Sequence, residues 1–388
     1  VEARPATIAY HGITVEDPYQ WLRDPSYPDT DDPEVLAYLN AENDYYQAFL
    51  QPHQPLVDKL FEEFKGRVDE TDTSVPFVKN GYEYRWEFRP GNDYRTHIRK
   101  NLATGEEVVF MDEQELSAGH DYFVVGGWDI SPDNRLVAYT VDTSGDERYT
   151  VVIKDIGSGE VLPVDIQNSG SVVSFTPDNK GVIYPKLSAD RWFTESVNLR
   201  YLVAEGDEDV ERVLFAEQDQ AYFLGYSFSA DDKWLFKYAS RGANIEIAAV
   251  PADELTAEPV ILVDREAGVE ASIDAAHGSL YLLINDEHVN SRFVRINAES
   301  FGAALADKST WQTLIAGSDS HYLQGFQTFD DFIALQLSID GLERIHLLDA
   351  DGQMQEEVEF PESVYSASIA FNAEFDQDFV RLNYGSMI

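Results

Sequence analysis

The 388-residue sequence predicts a mainly β protein, a seven-bladed β-propeller with a truncated last blade, preceded by an N-terminal extended and α-helical segment. The first observation is a turn–strand–turn–strand pattern that recurs from residue 75 onward. The second is its spacing of roughly 50 residues, which is typical of a four-stranded propeller blade. A sandwich or barrel also contains short strands, but it does not repeat one such unit in register. The third observation is that helical periodicity is confined to residues 32–66.

Residues 1–28 are expected to be extended or turning. Four prolines in this stretch disfavour a helix: Pro5, Pro18, Pro25 and Pro28. Tyr19, Trp21 and Leu22 are large apolar side chains with no local element to pack on. We therefore expect them to lie against another part of the molecule.

Residues 32–66 are predicted to form two helices. Asp32 can cap the first helix, with Pro33 at its first position, and the sequence Gln51-Pro-His-Gln-Pro55 ends it. The second helix ends near Gly66. Both helices have an apolar stripe at helical spacing; the stripes comprise Val35, Leu36, Leu39, Tyr46, Phe49 and Leu50, then Leu56, Val57, Leu60, Phe61 and Phe64. Burying one such side chain is worth about 1.5–3 kcal/mol, so we expect both stripes to dock on a partner surface.

The repeated unit is clearest at Ser131-Pro-Asp-Asn134, where Pro fixes a turn dihedral and Asp and Asn bond their own backbone. Its strands are predicted over 136–141, 149–155 and 160–163. Asn80-Gly81 marks a hairpin in the first unit. Later units begin at Thr176, Ser229, Asp274, Asp330 and Asn372; their predicted strands include 198–204 in the third unit and 379–384 in the truncated seventh.

Charge and composition limit the possible partners. The chain has 28 Lys and Arg against 71 Asp and Glu, a net charge of −43. Such a field repels nucleic acid and anionic membranes and attracts cationic peptides or metal ions, although a solubilising surface is the preferred interpretation. There is no cysteine, which excludes disulfides and cysteine nucleophiles. We expect a cytoplasmic location, or a periplasmic one if a leader preceded Val1.

Motifs for catalysis are missing from the sequence. An α/β-hydrolase needs Gly-x-Ser-x-Gly on a strand-to-helix turn, whereas Gly157-Ser-Gly159 and Gly317-Ser-Asp319 fall in predicted loops. The eight histidines have no zinc-site spacing. Asp69-Glu-Thr-Asp72 and Glu205-Gly-Asp-Glu-Asp209 could hold calcium, but we expect these acids to be solvated. The sequence therefore predicts no catalytic, metal or cofactor-binding residue, no cofactor, and no activity for this chain alone.

Several segments resemble a known enzyme family. His11-Gly followed by Asp17-Pro-Tyr-x-Trp-Leu-Arg-Asp24, and the later Tyr38-Leu-Asn-Ala-Glu-Asn43, resemble the N-terminal signature of the prolyl oligopeptidase family of serine peptidases. Val75-Pro-Phe-Val-Lys-Asn-Gly-Tyr-Glu-Tyr-Arg85, with Pro90-Gly91 and Tyr94, resembles the oligopeptidase B branch. So does Arg381-Leu-Asn-Tyr-Gly-Ser-Met387. The resemblance runs through all 388 residues in order.

The resemblance implies a domain organisation and a function. In that family an N-terminal segment packs on a C-terminal α/β-hydrolase domain that carries Ser, Asp and His, and the propeller admits only short peptides. We therefore expect residues 1–72 to pack on such a domain of the same polypeptide, outside this chain, and residues 73–388 to form the propeller. The expected substrates are short peptides, cleaved after Arg or Lys by analogy with the branch.

A different class of function stays open. A propeller without a catalytic partner could bind a protein or peptide through its loops or central channel, since this fold hosts many functions. That hypothesis predicts that the stripes of residues 32–66 pack on the propeller and that the seventh blade is closed. A hydrolytic propeller with a metal or paired carboxylates in its channel has no motif in its favour.

Overall fold

The computed structural model of the chain describes residues 1–26, 30–189, 191–202, 211–265, 269–299 and 301–387. Pro28, the acidic loop 205–209 and the predicted strand end at 203–204 lie outside these residues. Two compact units are distinguished, one of Val1–Asp72 with Ala189–Trp192 and one of Thr73–Ser188 with Phe193–Ile388. None of the described helices is long and apolar enough to cross a membrane.

The first unit contains a small hairpin and two helices. The elements are β1 (Thr7–Tyr10), β2 (Ile13–Glu16), α1 (Pro33–Leu50) and α2 (Gln54–Lys65). The Asp32 carboxylate accepts the backbone N–H groups of Glu34 at 2.8 Å and Val35 at 3.3 Å, which confirms the predicted cap. Between the helices lies a single 3-10 turn, Gln51–His53, so the prolines interrupt the α-helix without extending the chain.

Trp21 lies against other parts of the chain, as expected, but its partners are local ones within the first unit. Its Nε1 donates to the Glu2 carbonyl oxygen at 2.9 Å, and the Arg4 guanidinium lies over its ring at 4.2 Å. Tyr38, on α1, contacts it edge-on with ring centroids 5.9 Å apart. A short chain segment can return to pack on a helix of the same unit, which periodicity cannot reveal. Tyr19 is exposed.

In the second unit, the described strands form six successive sets of four antiparallel strands, paired in chain order, and a final two-stranded sheet. The first three sets are β3 (Phe77–Lys79), β4 (Tyr82–Phe88), β5 (Arg95–Asn101) and β6 (Glu107–Asp112); β7 (Val124–Ile130), β8 (Leu136–Asp142), β9 (Tyr149–Asp155) and β10 (Ile166–Ser169); and β11 (Ser174–Phe175), β12 (Gly181–Leu187), β13 (Thr194–Tyr201) and β14 (Glu211–Ala216). A short helix, α3 (Glu113–Leu116), follows β6. One pairing, Ser169 with Lys186, joins the second and third sets.

The remaining sheets follow the same order. They are β15 (Phe223–Phe228), β16 (Trp234–Arg241), β17 (Asn244–Pro251) and β18 (Val260–Val263); β19 (Ala271–Ala276), β20 (Ser279–Ile284), β21 (Arg292–Asn297) and β22 (Gln312–Ile315); β23 (Tyr322–Thr328), β24 (Ile333–Ile339), β25 (Leu342–Leu348) and β26 (Met354–Glu357); and the pair β27 (Tyr365–Ile369) and β28 (Leu382–Ser386). The prediction of a mainly β propeller fold is confirmed, whereas the number of seven blades stays a prediction.

The repeated turn has a common hydrogen-bond pattern. The Ser131 hydroxyl donates to Asp133 Oδ1 at 2.6 Å and accepts the Leu136 N–H at 2.8 Å. Thr176 and Ser229 make the same pair of bonds. Each turn places its fourth residue at positive φ, and Asn and Asp tolerate this conformation better than most residues. A hydroxyl residue two positions before Asp therefore specifies the turn.

Three predicted boundaries are wrong. Asp274 lies inside β19, and the fifth turn is His277-Gly278, both at positive φ, as a two-residue hairpin requires. The last strand of the second set is Ile166–Ser169, because residues 160–163 contribute only an isolated bridge at Val161. In the last sheet the strand begins at Leu382, and it pairs with β27, which precedes the turn.

The core of the second unit lies between successive sets of strands. Tyr84 and Phe110 of the first set pack with Val137 and Tyr139 of the second, and comparable apolar clusters follow at the next four junctions. The last sheet meets the first through Phe371 and Phe77, whose ring centroids are 5.3 Å apart. Arg381 also donates to the Pro76 carbonyl oxygen. The sheets therefore close into a ring.

Candidate functional site

A cavity of about 410 Å³ lies near the axis of this ring, and we call it the axial cavity. Its lining comes from the end of β3 and from the turns after β15 and β27, namely Lys79, Asn80, Phe228, Ser229, Ala230, Asp231, Asp232, Ala373, Glu374, Phe375 and Asp376. The first and fourth sets are not neighbours in the ring. Residues from both can line one cavity only close to the axis, so the cavity marks one end of the central channel.

The axial cavity is richer in acids than the chain as a whole. Four of its eleven lining residues are acidic, compared with 71 of 388 in the sequence. Desolvation by the surrounding residues raises the pKa of Asp232, although part of the residue is exposed. Lys79 opposes this increase, and the charges of Asp129 and Asp231 add to it. The Asp231 carboxylate is already engaged by the Ser229 hydroxyl and by Lys233. The site thus has negative charge that the described residues only partly neutralise.

An aromatic pocket of about 170 Å³ shares Lys79 with the axial cavity. Its lining is Phe77, Lys79, Tyr84, Trp128, Asp129, Ile130 and Phe371. Phe77 stacks on Tyr84 at 5.3 Å and lies 6.3 Å from Trp128, measured between ring centroids. The walls of the aromatic pocket are therefore mostly aromatic. One ion pair lies at its edge, with Lys79 Nζ 3.4 Å from Asp129 Oδ1.

Two carboxylates hold neighbouring sets together around the axis. Asp129 Oδ2 accepts the Phe175 N–H at 2.9 Å, which links the second and third sets. Asp274 accepts the Ala230 N–H at 2.8 Å and the Thr328 hydroxyl at 2.7 Å, which links the fourth, fifth and sixth. Burial raises the pKa of Asp274, although these donors oppose the increase. Both acids hold in place the strands and turns that line the cavity.

A third cavity, of about 640 Å³, lies on the outer side of the turn at Asp231 and Asp232, which also line it. Trp234 and Phe301 form an apolar wall of this cavity, with their ring centroids 6.1 Å apart. Asp178, Asp253 and Glu299 are among the acids around it. Because this third cavity shares two residues with the axial cavity, an acidic surface continues from the axis outward over the fourth and fifth sets.

The described residues that the sequence offered as candidates for a catalytic or metal site do not line these cavities. Gly157-Ser-Gly159 forms the turn after β9, where the Asp155 carboxylate accepts the N–H groups of Gly157 and Ser158. Gly317 lies beside His288, in a loop. Asp69 accepts the Thr71 N–H at 2.9 Å, which lowers its pKa. Within the described ranges no three His, Asp or Glu side chains are grouped as metal ligands.

The cavity-lining residues were missed because they do not form a motif. Lys79, Asp129 and Asp232 are separated by tens of residues and meet only when the ring closes. One signal could have found them: each lies at the end of the first strand of a set or in the turn that follows. Since these strand ends recur with the blade period, comparing the same position in each unit would have singled them out.

The ring of four-stranded sheets and the separate helical unit together define a propeller protein with an N-terminal helical segment. The model of the family "Prolyl oligopeptidase, N-terminal beta-propeller domain" matches residues 2–388. The chain belongs to this family, which confirms the resemblance inferred from the sequence.

Several known peptidases are similar to this chain over nearly its whole length. Dipeptidyl aminopeptidase BI of Pseudoxanthomonas mexicana is 31% identical, over 100% of this chain and 54% of its own length. Protease 2 of Moraxella lacunata is 26% identical, over 97% of this chain and 54% of its own length. Among solved structures, oligopeptidase B from Trypanosoma brucei with covalently bound antipain has a TM-score of 0.85 at 25% identity, covering 100% of this chain and 57% of that one. The chain thus spans about half the length of these relatives.

Proposed function

We propose that this chain is the propeller part of an oligopeptidase B-like serine peptidase. In the proposal it gates the access of short peptides to a Ser–Asp–His hydrolase domain of the same polypeptide, which cleaves after Arg or Lys. The observation that carries the proposal is the match of residues 2–388 to the family's propeller domain. The relatives are peptidases by name, and this chain aligns with about half of each. Catalysis would lie in the other half.

The exposed apolar side chains of α2 support the proposal that this helix docks on another domain. Five apolar side chains of this helix, Leu56, Val57, Leu60, Phe61 and Phe64, are between 40% and 62% exposed. On α1, Tyr45, Tyr46 and Phe49 are also exposed. Contiguous apolar surface of this kind marks an interaction site. The proposal assigns its cover to the hydrolase domain, as the family resemblance implies.

The acidic axial cavity supports a preference for basic peptides. A peptide that reaches the hydrolase domain through the propeller passes the end of the channel where Asp231, Asp232, Glu374 and Asp376 lie. Charges of one sign in a confined opening raise the local concentration of ions of the other sign. Arg and Lys side chains would therefore be enriched at this opening, and acidic peptides would be repelled.

The experiment is a comparison of turnover between two polypeptides. One is the 388-residue chain, and the other is the complete product of its gene. Fluorogenic blocked peptides ending in Arg, Lys or Pro are offered to both, with a serine-directed inhibitor as control. We expect no turnover by the 388-residue chain, and inhibitor-sensitive turnover of the Arg and Lys peptides by the complete product.

Phe61→Asp in the complete product tests the role of α2. It should lower turnover by weakening the docking of the helical unit, while Glu62→Asp, at the neighbouring exposed position, should have no effect. Preferential cleavage after Pro would contradict the assigned specificity. Inhibitor-sensitive turnover by the 388-residue chain itself would contradict the assignment of catalysis to another domain. A complete product that binds peptides without cleaving them would favour the stand-alone propeller.

A further inference from the structure

We propose that the axial cavity and the aromatic pocket form one recognition site for a peptide that carries a large apolar side chain next to an Arg or Lys. The aromatic pocket would take the apolar side chain, and Asp232 and Asp376 would hold the cation. This inference deepens the proposed function, on which it rests, by giving the propeller a substrate-binding site of its own. The two cavities are adjacent because Lys79 lines both.

Two carboxylates in the axial cavity are available to a ligand. Asp232 and Asp376 are exposed, and their side-chain carboxylates make no hydrogen bond or ion pair with the described residues. Glu374 differs, because it accepts the Asn80 N–H. Phe228 and Phe375 provide apolar surface in the same cavity, on which the aliphatic part of a Lys or Arg side chain can lie. The cavity therefore matches the two halves of such a side chain.

The aromatic pocket has the size and the polarity for one apolar side chain. Its volume of about 170 Å³ is close to that of an engineered cavity of about 150 Å³ that binds benzene. Phe371, on its wall, is 67% exposed, whereas Tyr84 is 1% exposed. A peptide side chain would thus enter past Phe371 and contact Phe77 and Trp128.

A buried hydroxyl in the pocket wall points to a polar contact with the ligand. The Tyr84 oxygen is buried next to Arg99, but it has no hydrogen bond of normal geometry among the described residues. Its cross-strand neighbour Arg99 directs Nη1 to the Asn134 carbonyl oxygen at 2.6 Å. Burial raises the pKa of Tyr84 to about 12, and Arg99 opposes this shift. The hydroxyl therefore stays protonated at neutral pH, and in the proposed site it would donate to a peptide carbonyl group.

Charge complementarity favours a basic peptide over other occupants. Lys79 is the single basic residue among the described residues that line either cavity, and Asp129 already pairs with it. An acidic peptide would face Asp231, Asp232, Glu374 and Asp376 together. A metal ion alone would leave the aromatic pocket empty. An apolar residue followed by a cation uses both cavities.

The test measures the binding of short peptides to the 388-residue chain, by calorimetry and by Trp fluorescence. The probes are acetyl-Phe-Arg-amide, its neutral isostere acetyl-Phe-citrulline-amide, and acetyl-Gly-Arg-amide. We expect the first peptide to bind with the highest affinity. Loss of the cation should weaken binding about two- to fivefold, as for an exposed ion pair. Loss of the Phe side chain should weaken binding about tenfold or more. Added salt should weaken the binding of the Arg peptides but not the binding of the citrulline peptide.

Matched variants locate the site. Asp232→Asn with Asp376→Asn should weaken binding of the Arg peptides about two- to fivefold. Binding of the citrulline peptide should stay unchanged, which also shows that the variant is folded. Asp121→Asn with Asp165→Asn removes the same charge from other exposed acids and should have no effect. Tyr84→Phe should weaken both Phe-containing peptides several-fold, and Trp128→Phe should abolish the fluorescence response.

Several outcomes would overturn the site. They are equal affinity for the Arg and citrulline peptides, an equal loss in the two double variants, or heat from Ca²⁺ alone with none from the peptides. Because no turnover is measured, failure here is distinguishable from failure of the proposed function. A complete gene product that cleaves after Arg, with no peptide binding by the 388-residue chain, would reject the site and leave the peptidase assignment intact.

Discussion

The phenylalanines of α2 and those of the propeller sheets have opposite environments. Phe61 and Phe64 are 62% and 60% exposed, whereas Phe236 and Phe293 are fully buried between successive sets of strands. The propeller sheets bury their apolar side chains against each other, so this unit needs no partner for its core. The helical unit presents the same residue type to solvent. Apolar residues therefore stabilise the fold in one region and are available for docking in the other.

The largest expected effect tests this comparison with one substitution in each region. Phe236→Ala should destabilise the chain by about 3–5 kcal/mol, because it removes a buried aromatic side chain and leaves a cavity between the fourth and fifth sets. Phe61→Ala, in the exposed face, should change the free energy of unfolding by no more than about 0.5 kcal/mol. Denaturant unfolding followed by intrinsic fluorescence measures both.

The matched design makes the result decisive. The two variants lose the same atoms, so only the surroundings differ. Equal losses of stability would mean that α2 packs on other residues in solution, and the interpretation of its face as a docking surface would have to be abandoned. If Phe61→Ala instead raises solubility without changing stability, the comparison is sharpened, since an exposed apolar face favours self-association.

The sequence predicted what depends on local pattern and missed what depends on ring closure. The cap at Asp32, the Asn80-Gly81 hairpin and the turns at Ser131, Thr176 and Ser229 were predicted because each is determined by a few adjacent residues. The repeat spacing predicts Asp274 as a turn residue, but it lies within β19. Its actual role is to bond Ala230 and Thr328, residues from neighbouring sets.

The candidate site could not be predicted for the same reason. Lys79, Trp128, Asp232 and Phe371 come from four different sheets, and their approach depends on how the sheets are arranged around the axis. No spacing along the chain encodes that approach. The helices differ, because their apolar stripes are predicted from periodicity alone, and the expectation that they need a partner follows from hydrophobicity. Val35, at the start of the first stripe, is nevertheless buried within the chain.

A smaller effect tests whether polar links add to the apolar core of the propeller. Asp274→Ala should destabilise the chain by about 1–3 kcal/mol, because the buried Thr328 hydroxyl and N–H lose their shared acceptor. Thermal or denaturant unfolding measures the loss. Asp121→Ala, at an exposed acid, is the control and should be nearly neutral. A double-mutant cycle with Thr328→Val isolates the hydroxyl contact, and additive losses would mean that this bond contributes nothing.

The smallest effect concerns the helical unit and is local. Asp32→Ala removes the acceptor for the N–H groups of Glu34 and Val35 and should cost about 1 kcal/mol of helix stability. Because the propeller has its own core, global unfolding should hardly change, whereas hydrogen exchange at the first turn of α1 should accelerate about fivefold. Asp44→Ala, within the same helix, should not accelerate exchange, since Ala favours the helix interior. If Asp32→Ala lowered the unfolding midpoint of the whole chain instead, the two regions would be folding as one cooperative unit, and the contrast between a self-sufficient propeller and a partner-dependent helical segment would fail.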